Sequence, residues 1–183
     1  MGAPVTPAVL RGGRVLLRPF REEEHDRVWE TFVNGNGFAH PLPDLPPREK
    51  VEERLRRSGT LVEGMLDLAL EAEGRLIGHI QARRPENALP PGVFDLGITI
   101  YEARDRGKGH GTEAVSLITR HLFEDLDAGR VQLSTDVENG PMRGAAERAG
   151  FRPEGVMRGF MPTVDGPRDY LLYAMTREDR PSA

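Results

Sequence analysis

The chain has 183 residues, 25 Lys and Arg against 29 Asp and Glu, and a formal net charge of −4. That length reads as one domain, residues 1–183, with an ordered core expected over about 9–177. No apolar run approaches the roughly 18 residues of a membrane-spanning helix, and a mildly acidic chain lacks the basic surface that nucleic acid asks for. There is no cysteine, which excludes disulfides, thiolate nucleophiles and Cys-based zinc sites and fits a cytoplasmic protein.

The start, Met1-Gly2-Ala3-Pro4-Val5-Thr6, has neither the basic nor the apolar region of a signal peptide. It matches the M-G-x-x-x-[ST] myristoylation pattern, with a short unordered start as the plain alternative. Val15 to Phe20 reads as a strand. Glu22 to Val33 reads as a helix, with Val28, Trp29 and Phe32 in an apolar stripe. Asn34 to Pro47 is a loop rich in Gly and Pro, and Pro47 opens a charged helix from Arg48 to Arg57. Met65 to Glu71 and Leu76 to Ala82 form strands around the turn Glu73-Gly74-Arg75. Arg84 to Gly92 is a loop. Val93 to Tyr101 is a strand with Phe94, Leu96, Ile98 and Ile100 on one face. Thr112 to Asp125 reads as a helix, Val131 to Val137 as a strand, and Pro141 to Ala149 as a short helix ended by Gly150. Two strands near Val156 to Pro162 and Tyr170 to Thr176 complete the order, with a frayed tail from Arg177. The fold class is therefore mixed α/β, with antiparallel strands before one strand-helix-strand crossover. That crossover makes its two strands parallel.

The most informative segment is Arg106-Gly107-Lys108-Gly109-His110-Gly111-Thr112-Glu113. It lies between a strand and a helix. Glycines at alternate positions let the backbone turn sharply and approach a ligand. The following helix aims its unpaired N–H groups and positive dipole end at the turn, which makes a phosphate site. A Walker P-loop needs G-x-x-x-x-G-K-[ST] and a Rossmann turn needs G-x-G-x-x-G, and neither spacing is present. This disfavours a nucleotide-dependent phosphotransferase. The remaining pattern, R-x-x-G-x-G, resembles the acetyl-CoA pyrophosphate loop of the GNAT acetyltransferases. Leu96-Gly97-Ile98-Thr99-Ile100, Asn139, Gly150-Phe151-Arg152-Pro153-Glu154-Gly155 and Arg158 are similar to the signature of the ribosomal-protein-alanine and spermidine acetyltransferase branch (RimJ/RimL-like). The resemblance runs from about Val15 to Thr176.

The resemblance implies a sheet whose parallel strands splay apart around the pantetheine arm, with helices on both faces. It implies acetyl-CoA as cofactor and direct transfer of the acetyl group to a primary amine, either a protein N-terminus or a small molecule. It also implies a possible homodimer. Cofactor contacts are expected from the backbone of Ile98, Thr99 and Ile100, from Arg106, Gly107, Lys108, Gly109, His110, Gly111 and Thr112, and from Asn139. Asn139 equally suits the cap of the following helix. Asp95, where the branch often carries glutamate, is the expected base, through a water relay because aspartate is one methylene shorter. Glu102, Asp136 or a water held by backbone carbonyls are the alternatives. The tyrosine and serine that relatives use to protonate the thiolate are replaced by Ala146 and Met142, so that solvent, substrate or a residue such as Ser134 would supply the proton. That departure leaves open a non-catalytic acyl-CoA-binding module. His79 is expected to be a buried structural histidine rather than a base. His25, His40 and His121 show no metal-ligand spacing, so no metal is expected.

Overall fold

The computed structural model describes residues 6–34, 45–84 and 89–179. The Gly2 myristoylation pattern, most of the Asn34 to Pro47 loop with His40, and part of the Arg84 to Gly92 loop lie outside the described residues. Twelve strands and α-helices follow one another among the described residues: β1 (Leu10–Arg11), β2 (Leu16–Arg18), α1 (His25–Val33), α2 (Arg48–Arg56), β3 (Met65–Ala72), β4 (Arg75–Arg83), β5 (Val93–Ile100), α3 (His110–Glu124), β6 (Arg130–Asp136), α4 (Gly140–Arg148), β7 (Arg152–Met161) and β8 (Arg168–Thr176). The strands form one sheet in the order β1-β2-β3-β4-β5-β6-β8-β7. Every pairing is antiparallel except β5 with β6, the two strands joined through α3. This is the mixed sheet that the crossover requires.

Side-chain alternation sorts the sheet into two faces. Leu66, Leu68 and Leu70 of β3, Phe94 and Leu96 of β5, and Val131 and Leu133 of β6 are buried against Ala114, Val115, Ile118, Leu122 and Phe123 of α3. At roughly 1.5–3 kcal/mol per fully buried large apolar side chain, this face supplies most of the burial energy. The opposite face of β3 and β4 is covered by α1 and α2 through Val28, Val51 and Leu55, which pack on Ala69, Leu76 and Tyr101.

Several boundaries differ from the sequence reading by a few residues, and three differences have a clear cause. β1 exists only through its pairing with β2, and two residues carry no periodicity to detect. α3 begins at His110 rather than Thr112, because Gly109 takes the left-handed N-cap conformation and the helix starts at once. β7 runs from Arg152, four residues before the expected start. Pro153 and Gly155 argue against a strand in sequence, yet β7 is an edge strand with register shifts at both glycine-containing stretches, where proline and glycine are tolerated.

His79 sits in the second core. Its Nδ1 lies 3.1 Å from the Tyr101 hydroxyl, and its ring stacks on Phe32 at 5.9 Å. Burial pushes the imidazole down to about 4 and the Tyr101 phenol up. This is a structural histidine, not a base for neutral pH. The unfolded chain takes up this proton near pH 6.5, whereas the folded chain resists until about pH 4. Its contribution to stability is therefore complete above about pH 6.5 and shrinks as pH falls towards 4. Replacing His79 with Gln should flatten the acid limb in that window, by up to about 1.4 kcal/mol per pH unit, in urea midpoints measured against pH. Identical pH slopes for the two proteins would refute it.

Candidate active site

β5 and β6 are hydrogen-bonded only from Val93↔Arg130 to Leu96↔Leu133. Beyond that register β5 continues to Ile100, held by β4 as far as Gly78↔Ile100. β6 continues to Asp136, held by β8 as far as Asp136↔Tyr170. Each strand keeps its outer neighbour while the inner edges part. The result is a gap in the middle of the sheet, lined by unpaired backbone.

Alternation decides which groups face this gap. Tyr101 N–H donates to Ile77 of β4 at 2.9 Å, so the peptide groups of Thr99 also turn to β4, and those of Ile98 and Ile100 turn to the gap. This corrects the expectation that Ile98, Thr99 and Ile100 all present their backbone to a ligand: adjacent strand residues point opposite ways. The Ile100 carbonyl accepts from the Arg106 guanidinium at 2.9 and 3.1 Å, so Arg106 folds back on the strand end instead of standing free at the rim.

The glycine turn leads from the gap to α3. Gly107 and Gly109 have φ of 73° and 86°, backbone that a side-chain-bearing residue rarely adopts. Glu113 N–H is the first to bond back along the helix, to Gly109 at 3.1 Å. The amides of His110, Gly111 and Thr112 are therefore left for a ligand at the positive end of a 15-residue helix. The His110 side chain points inward, its Nδ1 3.1 Å from the Asp105 carbonyl. Lys108 is exposed on the turn. The donor set suits a diphosphate: several backbone N–H groups, a helix end and cationic side chains.

At the closed end of the gap, on the face away from α3, stands Asp95. Its Oδ2 accepts from Arg83 of β4, directly across the register, and its side chain is 18% exposed. Oδ1 has no partner among the described residues. Both alternatives are more fully engaged. Glu102 pairs with Arg27 and Arg104, each at 2.7 Å. Asp136 accepts from Glu138 N–H at 2.7 Å and from Arg168 Nε at 3.1 Å. Two residues on from Asp95, Gly97 leaves a space that Gln81 fills, since a Cβ there would sit 2.9 Å from Gln81 Nε2. Arg54 of α2 donates to Gln81 Oε1 at 3.0 Å and to Asp67 at 2.6 Å. That bond fixes the amide orientation and turns the Gln81 NH₂ towards Gly97. The sequence reading missed this Asp67–Arg54–Gln81 relay. Its members lie on three elements, and the only sequence signal was that Gln81 shares a strand face with His79.

Asn139 caps α4, its Oδ1 accepting from Met142 N–H at 3.2 Å. Ala146 is fully buried in the main core, and Met142 packs at its edge. Neither offers a proton donor.

Residues 14–152 match the family model described as an acetyltransferase (GNAT) domain. The chain belongs to the GNAT acetyltransferase family. It is 27% identical over 150 residues to the SPbeta prophage-derived uncharacterized N-acetyltransferase YokL of Bacillus subtilis, covering 82% of this chain and 80% of that protein. It is 30% identical over 139 residues to the mycothiol acetyltransferase of Pseudarthrobacter chlorophenolicus, covering 75% of this chain and 42% of that one. Mycobacterium smegmatis RimJ in complex with CoA-disulfide superposes with a TM-score of 0.74 at 25% identity, over 98% of this chain and 91% of that one. This GNAT enzyme is an acyltransferase with acetyl-CoA as its donor, and the parted strands and glycine turn fit that group. A valine at Gly109 would force a side chain onto a φ of 86° in the phosphate turn. Gly109→Val should lower CoA affinity at least about 10-fold in titration calorimetry while the protein stays folded by circular dichroism. A folded variant with parental affinity would remove the turn from the cofactor site.

Proposed function

We propose that this enzyme acetylates a primary amine by direct attack on acetyl-CoA, with Asp95 taking the amine proton through a water. The observation that carries the reading is the gap between β5 and β6, open at the phosphate turn and closed beside Asp95. Bound there, acetyl-CoA supplies the activated acyl carbon. The attacking amine must be neutral, so its proton has to leave. Asp95 suits this role because one carboxylate oxygen is anchored by Arg83 and the other is open. The N–H of Ile98 is turned to the gap, where it can donate to the acyl oxygen as charge builds on it. As the nitrogen–carbon bond forms and the carbon–sulfur bond breaks, the departing thiolate gains a proton. Ser134, the first β6 residue past the paired register and on the Asp95 side of the sheet, is our candidate donor in place of Ala146 and Met142.

The acceptor class follows relatives of two kinds. One is the Klebsiella pneumoniae protein named aminoglycoside N(6')-acetyltransferase, 30% identical over 87 residues. The other is RimL, named a ribosomal L7/L12 α-N-protein acetyltransferase, with a TM-score of 0.75 and 15% identity, a likeness of fold alone. A small-molecule amine or a protein N-terminus is accordingly the proposed acceptor, and a cytoplasmic location is part of the same reading. No described helix is long and apolar enough to cross a membrane.

Asp95→Asn should leave CoA affinity unchanged and lower kcat by roughly 10²–10⁴-fold on an acceptor found by screening amines and peptide N-termini. Full turnover of Asp95→Asn would exclude Asp95 as the base. We also propose a homodimer, supported by Val156 and Phe160, which expose 55% and 48% of their surface on the edge strand β7. Light scattering at micromolar concentration should give twice the 20.3 kDa chain mass, and a monomer mass would overturn it.

A further inference from the structure

The turn between β1 and β2 is fastened to the first turn of α3. Glu113 Oε1 accepts from Gly13 N–H at 2.6 Å, and Oε2 accepts from Arg14 N–H at 3.0 Å. One carboxylate thus takes two consecutive amides, each a charge-assisted hydrogen bond, from a segment about 100 residues away in the chain. Gly12 makes the approach possible: a Cβ there would lie 2.5 Å from Glu113 Oε1 and 3.1 Å from Leu117 Cδ1. The clamp sets where the next side chain goes. Arg14 Nη1 comes to 3.9 Å from the point where a side chain on Gly109 would begin.

Arg18, Arg75, Arg83, Arg130 and Arg168 are each held by a carboxylate. Arg14 forms no ion pair and no side-chain hydrogen bond among the described residues. An exposed guanidinium outside any ion pair among the described residues therefore stands beside a glycine turn whose amides and helix end favour an anion.

We propose that Arg14 is a ligand for phosphate oxygens of the cofactor, delivered to the phosphate turn by the Glu113 clamp. It approaches from the β1–β2 side, outside the R-x-x-G-x-G segment. Glu113 is a positioning residue in this arrangement: it orients the turn and makes no ligand contact. The proposal rests on acetyl-CoA being the donor.

The test is calorimetric binding of CoA to the parent and to Arg14→Gln and Arg14→Lys, at several salt concentrations. Arg14→Gln leaves the clamped backbone amide in place, so its ligand-free melting temperature should match the parent. Its CoA affinity should fall about 10-fold at low salt, and the dependence of log Kd on log salt should flatten, since one cation fewer faces the phosphates. Arg14→Lys should recover part of the affinity, a point charge without the guanidinium fork. A Kd within twofold of the parent would overturn the role. So would weaker binding with an unchanged salt slope, or a lowered ligand-free melting temperature that accounts for the loss. A parent that fails to bind CoA sinks the donor assignment itself, whereas a parent that binds and an indifferent variant sink Arg14 alone.

Discussion

Two parallel strands lose each other after Leu96 and Leu133, and the rest of the structure follows from that parting. A sheet interior with unpaired N–H and C=O groups is costly unless something bonds them. β5 and β6 tolerate it because each is still fully paired on its outer side, to β4 and β8. The gap cannot collapse because Ile98 and Ile100 already pack against the core on α3, and because β8 anchors β6 through a seven-residue register. An extended ligand arm with amides of its own can meet the exposed backbone as an added strand would. Arg106, bonded to the Ile100 carbonyl, satisfies one of those groups from within the chain.

The two faces of the sheet have different chemistry for the same reason. On the α3 side the packing is apolar and continuous, which makes the helix start and the phosphate turn rigid with respect to the gap. On the other side, arginines and carboxylates join neighbouring elements: Arg54 with Asp67, Arg83 with Asp95, Arg168 with Asp136. Half-buried pairs of this kind add little net stability once desolvation is counted. Their value here is geometric. Asp95 and Gln81 are each held by a guanidinium, and the Gln81 amide lies against Gly97 of β5.

The first turn of α3 is tied to the N-terminal end of the described chain. Glu113 lies two residues after the glycine pattern, and its carboxylate holds the β1–β2 turn. The short first strand is thereby pinned twice, to β2 by its ladder and to α3 by this clamp. A segment with almost no intrinsic preference for structure is thereby fixed beside the glycine turn.

Much of this was readable beforehand. Apolar alternation in Val93 to Tyr101 and helical spacing after Thr112 are local signals, set by the period of the backbone itself. So is the glycine turn, because its conformation demands glycine wherever it occurs. Asn139 showed its capping chemistry in sequence for the same reason. What could not be read are contacts between residues that only folding brings together. The partner of Asp95 comes from the strand opposite, 12 residues earlier. The orientation of Gln81 is set by an arginine on α2, and the Arg14 backbone amide is held by a glutamate on α3. Strand alternation also split Ile98 and Ile100 from Thr99, a distinction that depends on which neighbour each edge meets. The sequence by itself determined the order of elements after β1, the glycine turn and the family. The tertiary structure alone decided which polar atoms face the gap, because hydrogen-bond direction is a property of paired elements and not of any residue taken singly.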